Sequence, residues 1–202
     1  MTKSSKLIYE KADYFSRLAK EKGYRSRSSL KLIEIQKKDK FIYSGAKVLD
    51  LGSSPGGWSQ VTIQKVGRKG KVFGVDVKDM KPIKGVTFIK KSIEEIVRKD
   101  SEYREEFINN LDIVLSDLAP NITGISIRDD ASMVDLLEKI QLSVDIFLKE
   151  EGAALIKVFQ GESLDKMRIY MKSKFQKVRI RKPISSRSNS RETYILGLDK
   201  KK

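Results

Sequence analysis

Five short runs rich in β-branched residues, KVLDL (47–51), KVFGVDV (71–77), TFIKK (87–91), DIVLSD (112–117) and AALIKVF (153–159), are separated by stretches of helical character. That alternation leaves few folds open, because a strand, a crossover helix and a second strand build a parallel sheet covered by helices on both faces. The clearest helix is Ala131–Glu150, where Met133, Leu136, Leu137, Ile140, Val144, Phe147 and Leu148 recur at three-to-four spacing and Gly152 marks the stop. Two later runs, KVRIRK (177–182) and ETYILGL (192–198), are joined by Pro183–Arg191, which has no helical pattern. They read as an antiparallel hairpin closing one sheet edge. The expectation is an α/β chain with a mostly parallel sheet of seven strands.

Nothing divides the 202 residues, so a single domain is expected over 1–202, a basic helical segment (1–40) leading into a core (41–202). No apolar run approaches the roughly 20 residues of a membrane span, and MTKSSKLIYEKADYF is too polar for an export signal. A cytoplasmic protein, monomeric by default and without a membrane partner, is expected. The chain has no Cys and no His. That removes thiolate and imidazole zinc sites, disulfides and every nucleophile or proton relay built on those side chains, so no metal is expected and Lys, carboxylate, Tyr or hydroxyl chemistry remains.

The net charge of +15 is unevenly placed: residues 1–40 carry 12 basic and 5 acidic side chains, residues 166–202 carry 13 and 2, and the centre carries 17 and 20. A near-neutral core between two basic ends suits a polyanion, since each phosphate contact releases counterions. Nucleic acid is therefore the leading partner. Lys-rich surfaces also keep proteins soluble, and that plainer reading stands for Lys200, Lys201 and Lys202.

The motif LDLGSSPGGWSQ (49–60) follows a strand and opens a helix, where backbone amides approach a ligand closely. Its glycines, Gly52, Gly56 and Gly57, do not have the spacing of a dinucleotide-binding loop. The second strand ends in Asp76, about 20 residues further on, where an acid hydrogen-bonds ribose hydroxyls. A nucleoside cofactor is implied.

With SDLAPN (116–121), KVFQG (157–161), SRETYIL (190–196) and YRSRSSLKL (24–32), this loop resembles the FtsJ-type ribosomal RNA 2′-O-methyltransferases, in order and over nearly the whole chain. The resemblance implies a Rossmann-like fold whose last strand is antiparallel, S-adenosylmethionine as cofactor, and a catalytic tetrad of Lys31, Asp117, Lys157 and Glu192. It further implies that Gly52, Gly56 and Trp58 line the cofactor pocket, that Asp76 holds the ribose, and that Asp117 lies beside the methionine end. Where the bacterial enzymes usually present an Asp to the adenine amino group, this chain has Ser92, with the backbone of Ile93 as a substitute.

The residues themselves support such chemistry. A ribose 2′-hydroxyl is a poor acid, and without His the best base is Lys157, at the end of an apolar strand where a lysine needs a partner or a task. Burial and Lys31 would weaken its hold on a proton, whereas Asp117 and Glu192 would strengthen it. Cytosine C5 methylation needs a cysteine nucleophile, and exocyclic amine methylation shows a double proline and an aromatic residue that SDLAPN lacks. A non-catalytic RNA-binding assembly factor would have lost the tetrad or the glycine loop. The substrate that the resemblance implies is ribosomal RNA, a uridine in the peptidyl-transferase region of the large subunit, with tRNA as the alternative. Arg25, Arg27, Lys182, Arg187 and Arg191 are candidate phosphate contacts, and Tyr24 and Phe159 are candidates for stacking on a base.

Overall fold

Each run of β-branched residues becomes a strand because its alternate side chains can be buried on both sides of one sheet. The structure, a computed structural model, describes residues 14–120, 123, 126–186 and 190–202. The strands are β1 (Lys47–Leu51), β2 (Lys71–Val75), β3 (Val86–Ile89), β4 (Leu111–Ser116), β5 (Leu148–Phe159), β6 (Phe175–Arg181) and β7 (Glu192–Lys200). The first helical stretch is α1 (14–21). It is followed by α2 (Ser28–Asp39), α3 (Gly57–Val66), α4 (Ile93–Val97), α5 (Arg104–Phe107), α6 (Ser126–Phe147) and α7 (Glu162–Lys174). The sheet order is β3-β2-β1-β4-β5-β7-β6. Strands β1 to β5 pair in parallel, and β7 runs antiparallel to both of its neighbours.

The hairpin does close one edge, but its second strand lies inside the sheet and its first forms the rim. Burial explains the order: residues 193–197 of β7 are all buried, so they need cover on both faces, whereas β6 carries Lys177, Arg179 and Arg181 and tolerates an edge. Helix α6 ends at Phe147, three residues earlier than its periodicity suggests, because Leu148 already pairs with Leu111. The Lys200 ammonium donates to the carbonyls of Val144 (3.1 Å), Asp145 (3.2 Å) and Leu148 (2.5 Å). Cations at a helix C-terminus satisfy its last carbonyls, so Lys200 has a structural task beyond solubility.

Alternation along the strands sorts the core into two layers. Leu49, Leu51, Phe73, Val75, Val114, Ile156 and Ile195 face the layer that holds Phe107, Met133, Leu137, Ile140 and Phe147 from α5 and α6. Val48, Val72, Ile113, Leu115, Leu155, Tyr194 and Leu196 face Leu32, Ile35, Trp58 and Val61 from α2 and α3. Helix α2 is tied to the distant hairpin as well. The Asp39 carboxylate is buried and accepts from Arg179 Nη1, Arg181 Nε and Arg181 Nη2, each at 2.7 Å. Burial would raise its carboxyl pKa, but the two guanidiniums outweigh that and hold it below the usual range. Glu34 accepts the backbone N–H of Ile184 at 2.9 Å.

The helices α2 and α3 meet where Gly57 leaves no room for a side chain: a Cβ there would stand 2.1 Å from Ser26 Oγ and 2.6 Å from Ser29 Oγ. Gly57→Ala is expected to lower stability by about 1–3 kcal/mol, the usual cost of overpacking. A fall in the urea midpoint at unchanged m-value would show it.

Candidate active site

Residues directly opposite in an antiparallel pair share a face of the sheet. In the β5–β7 pair Lys157 stands opposite Tyr194, and Phe159 opposite Glu192. Lys157, Tyr194 and Glu192 therefore all project to the side covered by α2 and α3, the side of Leu155 and Leu196. Asp117 follows β4 and continues the face of Ile113 and Leu115, with its N–H donating to the Leu51 carbonyl at 3.3 Å. Lys31 reaches the same place from the buried face of α2.

The four tetrad candidates are thus brought together from one helix and three adjacent strands. The Lys31 ammonium donates to Glu192 Oε1 at 2.5 Å. That of Lys157 donates to the Asp117 carbonyl at 2.5 Å and lies 3.3 Å from Asp117 Oδ1. Both lysines are buried, at 5 % and 8 % exposure, so each charge has an opposite charge in contact, as buried charges require. Burial would raise the Glu192 carboxyl pKa, but Lys31, with Lys157 behind it, prevails and holds it below the ordinary glutamate range.

Tyr194 belongs to this frame although the sequence reading did not single it out. Its hydroxyl donates to Asp117 Oδ1 at 2.8 Å, its ring lies 5.8 Å from the Lys31 ammonium, and burial together with Asp117 pushes its pKa well up. The signal was available: Tyr194 stands two positions after Glu192 on a strand, hence on the same face.

The glycine loop turns from β1 into α3 with Gly52 at φ 78° and Gly56 at φ 112°, conformations that side chains resist. A Cβ at Gly52 would also meet Leu118 Cδ2 at 2.6 Å. Beside the loop lies a cleft lined by Gly52, Val75, Asp76, Val77, Lys91, Ser92, Ile93, Glu94, Leu118 and Leu136. Asp76 accepts the backbone N–H of Ser54 (2.9 Å) through one oxygen and that of Lys78 (2.8 Å) through the other. Ser92 is the N-cap of α4, its hydroxyl accepting from the Glu95 N–H at 3.3 Å in a capping box. Gly56 and Trp58 stand outside the lining. Trp58 is a core residue, 2 % exposed, packed on Tyr194 at 5.7 Å between ring centres and donating from Nε1 to the Ser28 carbonyl.

Three buried polar atoms around the loop, Asp50 Oδ1, Ser53 Oγ and Ser116 Oγ, have no hydrogen-bond partner among the described residues. Buried polar groups are rarely left so, and their place at the carboxyl ends of β1 and β4, next to a glycine-lined cleft, fits a bound ligand with a polar nucleoside portion. Asp50 itself is fully buried, with Ser59 Oγ donating to its other oxygen at 2.6 Å. Burial pushes its carboxyl up to about 7, with Asp117 and Asp76 adding to the rise. The sequence reading passed over it, though a carboxylate inside an apolar strand was a signal.

A carboxyl whose pKa is higher folded than unfolded opposes folding once the unfolded chain ionises. Stability is therefore expected to fall as pH rises from about 4 to about 7, the interval between the unfolded and folded values. Asp50→Asn should flatten that slope, gaining stability relative to wild type at pH 8 and little at pH 4, in urea unfolding across the range. An unchanged slope would mean that Asp50 is not its source.

The phosphate candidates do not form one group. Arg25 spends its guanidinium on three backbone carbonyls, those of Pro55, Lys81 and Pro82. Lys182 donates to the carbonyls of Ser190 and Glu192, bracing the start of β7. Arg191 is held by Asp130 (2.8 Å) and the Gln160 carbonyl (2.8 Å). Arg27 precedes α2, and its charge acts on Tyr194; Arg187 lies outside the described residues. Tyr24 packs at the margin of the core and donates to Gln64, and Phe159 is core.

Residues 24–200 match the family model described as FtsJ-like methyltransferase. The chain is 41% identical over 187 residues to the ribosomal RNA large subunit methyltransferase E of Dechloromonas aromatica, covering 92% of this chain and 90% of that one. It is 42% identical over 188 residues to the protein of the same name from Pseudomonas fluorescens, covering 92% and 88%. Among solved structures it resembles a ribosomal RNA methyltransferase of Plasmodium falciparum, with TM-score 0.76, 31% identity, and 88% of this chain and 98% of the other covered. Fibrillarin of Aeropyrum pernix, crystallised with S-adenosylmethionine, shares the fold at TM-score 0.57 and 15% identity, over 87% of this chain and 75% of its own. With a parallel sheet that ends in an inserted antiparallel strand, a glycine-turned cleft at its carboxyl edge and a match spanning nearly its whole length, the chain belongs to the FtsJ-like methyltransferase family.

Proposed function

We propose that this methyltransferase transfers a methyl group from S-adenosylmethionine to a ribose 2′-hydroxyl of large-subunit ribosomal RNA, at a uridine of the peptidyl-transferase region in the assembled subunit. The observation that carries the chemistry is the contact of Lys157 with Asp117, beside the Lys31–Glu192 pair and close to the glycine loop. The large-subunit substrate follows the names of the relatives, and the uridine follows the family resemblance.

The cofactor, when bound, supplies an electrophilic methyl group on a sulfonium. Asp76 is the residue to hold its ribose: two of the carboxylate's roughly four lone-pair sites take backbone N–H groups, leaving acceptors for hydroxyls. Ser92 and Ile93 border the cleft where the base would lie. Lys157, once it has given its own proton to solvent, takes the proton from the 2′-hydroxyl as the ribose oxygen attacks the methyl group. The carbonyl and carboxylate of Asp117 then hold the ammonium that forms, and Tyr194 keeps that carboxylate from turning away. Lys31 and Glu192 close the frame on the α2 side, fixing where the ribose can enter. Positioning and a base together account for rate enhancement without a covalent intermediate. The basic ends suit the phosphates of RNA, and only RNA offers the 2′-hydroxyl.

The test is transfer of labelled methyl from S-adenosylmethionine to hypomethylated large subunits, to naked ribosomal RNA and to total tRNA. Incorporation into large-subunit RNA that protects one ribose from alkaline cleavage supports the proposal. Label in tRNA alone would move the substrate, equal label in naked RNA would remove the requirement for an assembled particle, and none in any would leave a binding factor.

A further inference from the structure

Arg25 lies where the sequence reading sought a phosphate contact, yet its guanidinium is bonded to backbone carbonyls. Nη1 donates to the carbonyls of Pro55 at 3.2 Å and Lys81 at 2.5 Å, and Nη2 donates to that of Pro82 at 2.7 Å. These acceptors belong to two different loops: Pro55 is in the glycine turn, and Lys81 and Pro82 are in the connection from β2 to β3 that starts at Asp76. A Cβ at Gly56 would approach Arg25 Nη1 to 3.1 Å, so the side chain lies directly against the turn.

The backbone around Arg25 is fastened to α3 as well. Arg25 N–H donates to Gln60 Oε1 at 2.8 Å, Gln60 Nε2 returns a bond to the Gly23 carbonyl at 3.1 Å, and the Ser28 carbonyl accepts from Trp58. On its other side the turn is held by Asp76, which accepts from Ser54 N–H, and by Ser54 Oγ donating to the Asp79 carbonyl at 3.0 Å. The glycine turn thus sits between the 76–82 connection and the 23–29 segment, and one rigid five-donor fork spans all three. The 23–29 segment runs straight into α2, which carries Lys31.

We infer that Arg25 is a positioning residue for the cofactor, acting as a strut that sets the spacing of the two cofactor loops and locks both to the segment delivering Lys31. This rests on the cofactor site proposed above. The two loops carry Gly52 and Asp76, which line the same cleft, and loops held before binding need not be ordered by the ligand. A phosphate contact would instead leave the guanidinium turned to solvent, and here it faces three carbonyls.

The experiment uses the full chain with Arg25→Ala and Arg25→Lys. It reads S-adenosylmethionine affinity by calorimetry, binding of large-subunit RNA across a salt series, and steady-state kinetics. The inference predicts that Arg25→Ala weakens S-adenosylmethionine binding by about tenfold or more. KM for S-adenosylmethionine rises in step, while kcat at saturation stays near wild type and RNA affinity and its salt slope do not change. Arg25→Lys keeps the charge but loses the fork, so it also binds S-adenosylmethionine several-fold more weakly, and it carries the test if the alanine variant does not fold. Unchanged S-adenosylmethionine affinity overturns the inference. So does weaker RNA binding with a salt slope reduced by about 1, the mark of a lost phosphate contact, and so does a fall in kcat alone, the mark of a smaller folded fraction. Wild-type protein that fails to bind S-adenosylmethionine would overturn the cofactor reading and this inference with it; binding by wild type and equal binding by Arg25→Ala would overturn the inference alone.

Discussion

Lys157→Ala should cost about a thousandfold or more in the single-turnover rate of methyl transfer, with S-adenosylmethionine and RNA affinities within a few-fold of wild type. General-base groups contribute roughly 10²–10⁴-fold, and no His is present to substitute. The loss should not come from unfolding. Asp117 keeps its bond from Tyr194, and Glu192 keeps its 2.5 Å pair with Lys31. Lys157→Arg separates base from charge: arginine retains the cation but cannot give up its proton, so it should be as inactive as alanine. Substantial transfer by Lys157→Arg would assign the residue an electrostatic role only, and substantial transfer by Lys157→Ala would remove it as the base.

Asp117→Ala should also slow turnover severely and be worse for the fold. It removes the carboxylate beside Lys157 at 3.3 Å and the acceptor of the Tyr194 hydroxyl at 2.8 Å. It leaves a buried ammonium and a buried hydroxyl short of partners, and each such deficit typically costs about 1–3 kcal/mol. A rate loss of about 10²-fold or more is expected together with a lower urea midpoint. Asp117→Asn keeps an oxygen for Tyr194 and should recover much of the midpoint but little of the rate. If both variants turned over near the wild-type rate, the tetrad would lose its centre.

Much of this protein was legible in its sequence. Strand and helix order could be read because side-chain periods of 2 and 3.6 are local properties, and the runs around Val48, Phe73, Val114 and Ile156 carry them plainly. The glycine turn could be read because Gly52 and Gly56 occupy conformations that other residues resist. The boundaries were less legible. Helix α6 and strand β5 meet without a loop, and what ends the helix is Leu148 pairing with Leu111, a contact between residues 37 positions apart. The phosphate candidates were the least legible, since an arginine's charge is visible in a sequence and its acceptors are not. Arg25 and Lys182 turn to backbone carbonyls, and only the fold supplies those.

By itself the sequence determined which residue types were available for chemistry, the order of strands and helices, and the strand-to-helix turn that admits a ligand, because each follows from local sterics and periodicity. Tertiary structure decided the rest. Insertion of β7 between β5 and β6 set the register that puts Tyr194 across from Lys157 and Glu192 beside them, and a one-residue slip of β7 would have turned Tyr194 and Glu192 to the other face. The Asp39–Arg179–Arg181 cluster and the Glu34–Ile184 bond set α2 over that face so that Lys31 meets Glu192. Such contacts join residues up to 161 positions apart, and their geometry is the outcome of burying both faces of one sheet at once.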